Sequence, residues 1–108
     1  MEEKITAVYL MVRQSELGPE DRGNYERLIG LQKRKCIDFL RQKGLGEGPG
    51  TVFYTKRSDL FIDIERDKVA RLLVHDTARL GAIPEEVEGI LFELQMRGVE
   101  LLTVEGDK

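Results

Sequence analysis

The chain has 108 residues, of which 41% are hydrophobic and 34% charged, and carries a formal net charge of -3. One small globular domain spanning residues 1–108 is expected, large enough for a single core and too small for an independent second module. This balance excludes disordered, fibrous and membrane sequences, and the acidic net charge argues against polyanion binding over the whole surface while leaving room for a local basic patch.

Residues 5–12, ITAVYLMV, form a continuous apolar run, the pattern of a strand buried on both faces of a parallel sheet. After a polar loop with Gly18, Pro19 and Gly23, apolar residues recur at Tyr25, Leu28, Ile29, Cys36, Phe39 and Leu40. They lie on one face of a helix reaching Lys43, with Gly44 at its C′ position. GLGEGPG, residues 44–50, reads as a loop and TVFYT, residues 51–55, as the second strand. Ser58 is placed to cap a helix through Asp67, with Leu60, Phe61 and Ile64 inward. Residues 69–74, VARLLV, make the third strand. Pro84 followed by Glu85 and Glu86 opens another helix, its stripe Val87, Ile90, Leu91 and Leu94, closed by Gly98. VELLTV, residues 99–104, is the fourth strand.

Alternating strands and helices imply right-handed crossovers and a three-layer α/β/α fold: a parallel sheet of four strands in the order 2-1-3-4. Its ligand crevice lies outside the carboxyl ends of strands 1 and 3, where the chain reverses direction across the sheet. That places Arg13, Gln14, Ser15 and Glu16 beside His75, Asp76, Thr77 and Arg79, with Lys56, Arg57 and Ser58 near by. Arg13, Arg57, Arg79 and Lys56 suit an anionic oxygen ligand, because guanidinium forks two hydrogen bonds onto phosphate or carboxylate. Lys56, Arg57 and Arg79 are the candidate phosphate ligands. The competing structural interpretation has Arg79 engaged by a carboxylate or by helix-end carbonyls.

Other chemistries fit less well. Asp76 stands where receiver domains carry a phosphate-accepting aspartate, but the acidic pair such domains need after strand 1 is here Arg13 and Glu16. A Ser15, His75, Asp76 triad requires the last two to meet, whereas neighbours on a strand point to opposite faces. Cys36 on an apolar helix face reads as a small hydrophobe. Lys33, Arg34, Lys35, Arg41 and Lys43 read as a solvated helix face. A lone cysteine forms no intramolecular disulfide, and with a single histidine a zinc site is implausible, so no metal and no cofactor are expected. No apolar stretch approaches the roughly 20 residues of a membrane span and no signal-peptide pattern opens the chain, so a cytoplasmic location is expected.

QKRKCIDFLRQKG, residues 32–44, with Gln32, Phe39 and Gly44, resembles the first helix of the serine recombinases, the resolvase and invertase family. DIERDKVARLLVHDTARLG, residues 63–81, is similar to that family's second helix end, apolar strand and Asp/Ser-Arg-Leu-Gly-Arg signature. PEEVEGILFELQMRGVELLTVEG resembles the helix and strand that follow. The resemblance implies a resolvase-like (flavodoxin-like) domain whose relatives attack a DNA phosphodiester with a serine stabilised by several arginines. Carried over, the signature falls on Ala78, Arg79 and Ala82, so of its two arginines one is retained.

The family's Tyr-x-Arg-x-Ser strand end fits in two registers. With Tyr9 at the tyrosine, Met11 stands at the arginine and Arg13 at the nucleophile. Sliding by two places Arg13 and Ser15 at the arginine and serine, and periodicity cannot choose between registers that share a strand face. The family's loop between strand 2 and helix 2, with a further arginine, is shortened here. We also expect neither the long dimerisation helix nor the DNA-binding segment of the family. The resemblance thus implies a catalytically degenerate domain that binds DNA or a recombinase-related protein. The alternative is an active or partner-completed recombinase with Ser15 as nucleophile and Arg13 and Arg79 as phosphate ligands.

Overall fold

A computed structural model describes residues 4–19, 24–44 and 50–105. Four strands, β1 (Ile5–Tyr9), β2 (Thr51–Tyr54), β3 (Val69–Val74) and β4 (Glu100–Thr103), form one parallel sheet in the order β2-β1-β3-β4. Three helices connect them, α1 (Glu26–Gln42), α2 (Arg57–Glu65) and α3 (Pro84–Met96).

The unbroken apolar runs of β1 and β3 are explained by burial on both faces. Ala7, Tyr9, Leu72 and Val74 point toward α2 and α3, packing on Leu60, Ile64, Ile90 and Leu94. Val8, Leu10 and Leu73 point the other way, onto Cys36 and Leu40 of α1. Each fully buried leucine contributes on the order of 1.5–3 kcal/mol, so the helices are held by the sheet more than by their own propensity. Burial also pushes the Cys36 thiol up to about 11, outweighing the charge of Arg79, so Cys36 is an inert core residue.

Several boundaries differ from expectation, each for a local reason. β1 ends at Tyr9, and its ladder stops after the Leu10 N–H donates to the Tyr54 carbonyl at 2.8 Å. Beyond that the buried side chain of Gln32 replaces a strand. Its Oε1 accepts from the Met11 N–H and its Nε2 donates to the Met11 carbonyl, both at 2.8 Å. Tyr25 precedes α1 and is exposed, so it does not belong to the inward stripe. Ser58 does not cap α2, because the extended backbone at Lys56 already starts the helix and the Leu60 N–H reaches the Lys56 carbonyl at 3.2 Å. α2 ends at Glu65, two residues short of Asp67, which turns the chain into β3 with φ of 60°. Gly44 and Gly98 take φ of 72° after their helices, a conformation glycine adopts without penalty. Gly23 and residues 45–49 of the expected loops lie outside the described residues.

Gly81, the glycine of the Arg-Leu-Gly stretch, has an extended backbone and is required for a different reason. A Cβ there would lie 2.9 Å from Glu86 Cβ and 3.1 Å from the Val87 backbone nitrogen. The turn after β3 is pressed against the first turn of α3, where neither atom can yield. Gly81→Ala is expected to cost about 1–3 kcal/mol in chemical denaturation, whereas Gly89→Ala, with open space around it, should be neutral or slightly stabilising.

Candidate functional site

The switch point between β1 and β3 brings together two short turns, Gln14–Glu16 after β1 and Thr77–Leu80 after β3. Arg79, on the second turn, is 8% exposed. Its guanidinium is almost fully engaged by its own chain. Nη1 donates to Glu16 Oε1 at 2.7 Å and to the Met11 carbonyl at 2.6 Å, Nη2 donates to Glu16 Oε2 at 3.1 Å, and Nε donates to Asp76 Oδ2 at 3.1 Å. The Arg79–Glu16 pair is the bidentate fork that arginine makes with carboxylate or phosphate. Glu16 thus occupies the kind of place that a phosphate would take.

The other predicted basic residues are distributed unequally. Arg13 is exposed, and its Nη2 donates to the Ala78 carbonyl at 2.6 Å while its backbone N–H donates to Glu16 Oε1 at 3.1 Å. Arg57 stacks over the Phe61 ring at 5.2 Å and pairs through Nη1 with Glu86 Oε1 at 3.0 Å. Glu86 also accepts from the Ala82 backbone N–H at 3.3 Å, at the position where the resemblance expects a second arginine. Arg13, Arg57 and Arg79 line a common cavity of about 350 Å³ with Tyr9, Met11 and Glu86. Lys56 is exposed and does not line it. Ser15 is exposed on its turn and lines neither this cavity nor the one of about 210 Å³ on the α1 side of Arg79.

His75 and Asp76 correct an expectation. Their side chains meet, His75 Nδ1 lying 3.0 Å from Asp76 Oδ2, because β3 ends at Val74 and strict alternation no longer applies. His75 Nε2 faces Glu105 at 3.7 Å, so the histidine sits between two carboxylates. Asp76 spends both of these interactions on one oxygen, while its buried Oδ1 has no hydrogen-bond partner among the described residues. Sequence reasoning placed Glu16 in the crevice without assigning it to Arg79, and missed Gln32 as an organiser of the site. Gln32 carried a signal, being a polar residue four before Cys36 on the buried helix face; Glu16 carried none, since its partner is 63 positions away.

The site is electrostatically self-consistent. The hydrogen bond from Arg79 holds the Glu16 carboxyl below the usual carboxylate range, outweighing the effect of burial. Burial opposes the charged form of Asp76, but the His75 hydrogen bond and the Arg79 charge prevail and its pKa is lowered too. Two depressed carboxylates contribute stability that is present above their unfolded value, near pH 4, and lost as pH falls through their folded values. The stability difference between wild type and Glu16→Gln is therefore expected to be full at about pH 6 and to shrink progressively below about pH 4, as measured by denaturant melts across that range.

The parallel sheet in the order 2-1-3-4 between helical layers is an α/β arrangement also found in the catalytic domain of a serine recombinase. Among solved structures the chain is similar to the C-terminal catalytic domain of ISC1926 TnpA, an IS607-like serine recombinase, at 17% identity and a TM-score of 0.69. The match covers 95% of this chain and 72% of the other. No family model matches the chain, and no curated protein matches it. Among the described residues no helix is long and apolar enough to cross a membrane.

Proposed function

We propose that this is a serine-recombinase-type domain that has lost phosphoryl-transfer chemistry and acts as a binding or regulatory module, toward DNA or a recombinase-related protein. The observation that carries this reading is the state of Arg79. Four of the five N–H donors of its guanidinium are committed to Glu16, Asp76 and Met11. Transition-state stabilisation needs donors aimed at the developing charge, and losing one such donor typically costs on the order of 100-fold or more in rate. Here Arg79 is held by carboxylates, Arg57 is paired with Glu86, and the second signature position is Ala82. Ser15 faces solvent while Arg13 lines the cavity, as the register with Arg13 at the nucleophile position would have it.

One observation favours the enzymatic alternative, namely that Arg13 and Arg79 do line one cavity. In that reading the Ser15 hydroxyl loses its proton as Oγ attacks a DNA phosphorus, the phosphoserine bond forms as the phosphorus–deoxyribose oxygen bond breaks, and the leaving oxygen takes up a proton to become a free hydroxyl. Both Glu16 and the turn carrying Ser15 would have to move, because reacting groups must come within about 3–3.5 Å. Incubating wild type and Ser15→Ala with supercoiled plasmid separates the two readings. Loss of function predicts no nicking by either; nicking by wild type that Ser15→Ala abolishes would restore the enzyme.

A further inference from the structure

We propose that the outward faces of α3 and α1 are the two halves of one self-association interface, with α3 of one copy seated on α1 of the next. Phe92 and Met96, one helical turn apart on α3, are 64% and 71% exposed, more than any other large hydrophobic residue described. Gly89, three residues before Phe92, has nothing within 4 Å of where its Cβ would be, so a partner can approach the helix backbone there. An apolar knob of this kind, beside a small residue, is the anchor pattern of a helix that docks in a groove.

Charge selects the groove. α3 contains four glutamates and no lysine or arginine; Glu86 is paired with Arg57 and Glu93 with Arg97, so its outward acidic character rests on Glu85 and Glu88, whereas α1 contains five basic residues against two acidic ones. Pairing α3 with another α3 would bring two acidic faces together, and pairing two copies of α1 would oppose two basic ones. α3 against α1 brings opposite signs together. On the outer side of α1 lies a cavity of about 420 Å³ with Gly30 and half-buried Ile37 as its apolar part and Lys33, Arg34 and Arg41 as basic walls; Asp38 also lines it. Exposed Glu88, one turn before Phe92, and Glu85, two turns before it, are placed to meet those basic walls.

The two halves lie on opposite faces of the sheet, since α1 packs on one side and α3 on the other. The contact is therefore heterologous, and its repetition gives open chains, or rings where the rotation closes, rather than a twofold dimer. Apolar anchors supply the affinity, and the flanking charges make it sensitive to salt, because at about 1 M the screening length falls to roughly 3 Å.

The test uses sedimentation velocity of the full chain from about 10 μM to about 1 mM at low salt. Wild type is expected to shift from 12.4 kDa monomer to successively larger species. Phe92→Ser with Met96→Ser breaks the knob, and Lys33→Glu with Arg34→Glu breaks the groove; all four residues are exposed, and beyond the contact of Lys33 with the Phe53 ring at 4.6 Å the core is untouched, so each variant should keep the wild-type circular dichroism. Each alone should associate at least about 30-fold more weakly than wild type. Mixed, the two should form a one-to-one dimer and stop there, because the intact groove of one receives the intact knob of the other. A monomeric wild type, an unaltered association in either variant, or a mixture that stays monomeric would each overturn the proposal.

Discussion

Replacing Arg79 with methionine is expected to cost about 3 kcal/mol of folding stability and to lower the melting temperature by more than about 10 °C. Methionine keeps much of the apolar stem but removes the only cation shared by Glu16 and Asp76 in this turn. Removing one partner of a buried ion pair typically costs about 3–5 kcal/mol, because the remaining charge stays desolvated. The lower end of that range applies here. The Glu16 and Asp76 side chains are 33% and 31% exposed and regain part of their hydration once freed. The Met11 carbonyl keeps its hydrogen bond from Gln32. Arg13→Met, by contrast, removes one hydrogen bond from an exposed side chain and should cost no more than about 1 kcal/mol. Paired urea melts of the two variants measure the contrast; equal and small losses would mean that Arg79 is not locked as described.

Glu16→Gln should have the converse effect on binding. The glutamine is the same size but carries one acceptor oxygen, so it cannot accept the two parallel bonds from Nη1 and Nη2. Its amide group would face an arginine donor, and the side chain is expected to leave the fork. Arg79 is then available to an external anion in a position already shaped for a carboxylate. An opposite charge at about 4 Å is worth on the order of 1–4 kcal/mol between bulk-water and surface-like dielectric, so affinity for inorganic phosphate or a short DNA duplex should rise about 10-fold or more. Adding Glu86→Gln, which releases Arg57, should raise it further. Titration of phosphate followed by amide chemical shifts around Arg79 and Gly81 reads both variants. No gain over wild type would mean that the carboxylates do not mask the cations.

The strands and their order were legible in the sequence because burial on both faces leaves an unbroken apolar signature, as in ITAVYLMV and VARLLV. The crevice was legible for the same reason, since strand order determines which ends meet. Local boundaries were less so. Ser58 reads as a cap by residue type, yet the extended Lys56 backbone starts α2 two residues earlier. His75 and Asp76 were separated by a rule for strands that stops applying where β3 stops. The masking of Arg79 was legible in part: engagement by a carboxylate was one expected reading of this arginine, but the identity of the carboxylates was not. Glu16 and Arg79 are both ordinary loop residues in the linear sequence, and only the folded turns bring a carboxylate into a guanidinium fork across 63 positions. The family resemblance set Ala78 and Ala82 at two signature positions, but it did not indicate which side chains occupy Arg79.

The nitrogen-edge signals of the arginine side chains offer the most direct measurement. In a heteronuclear correlation spectrum of the wild-type chain at neutral pH, the Arg79 Nε–H should be protected from solvent exchange by Asp76, and its resonance should stay put as phosphate is titrated to tens of millimolar. Exposed Arg13 serves as the internal control. An Arg79 signal that exchanges rapidly, or that moves saturably with phosphate in the wild-type protein, would show an open anion site and contradict the self-occupied crevice.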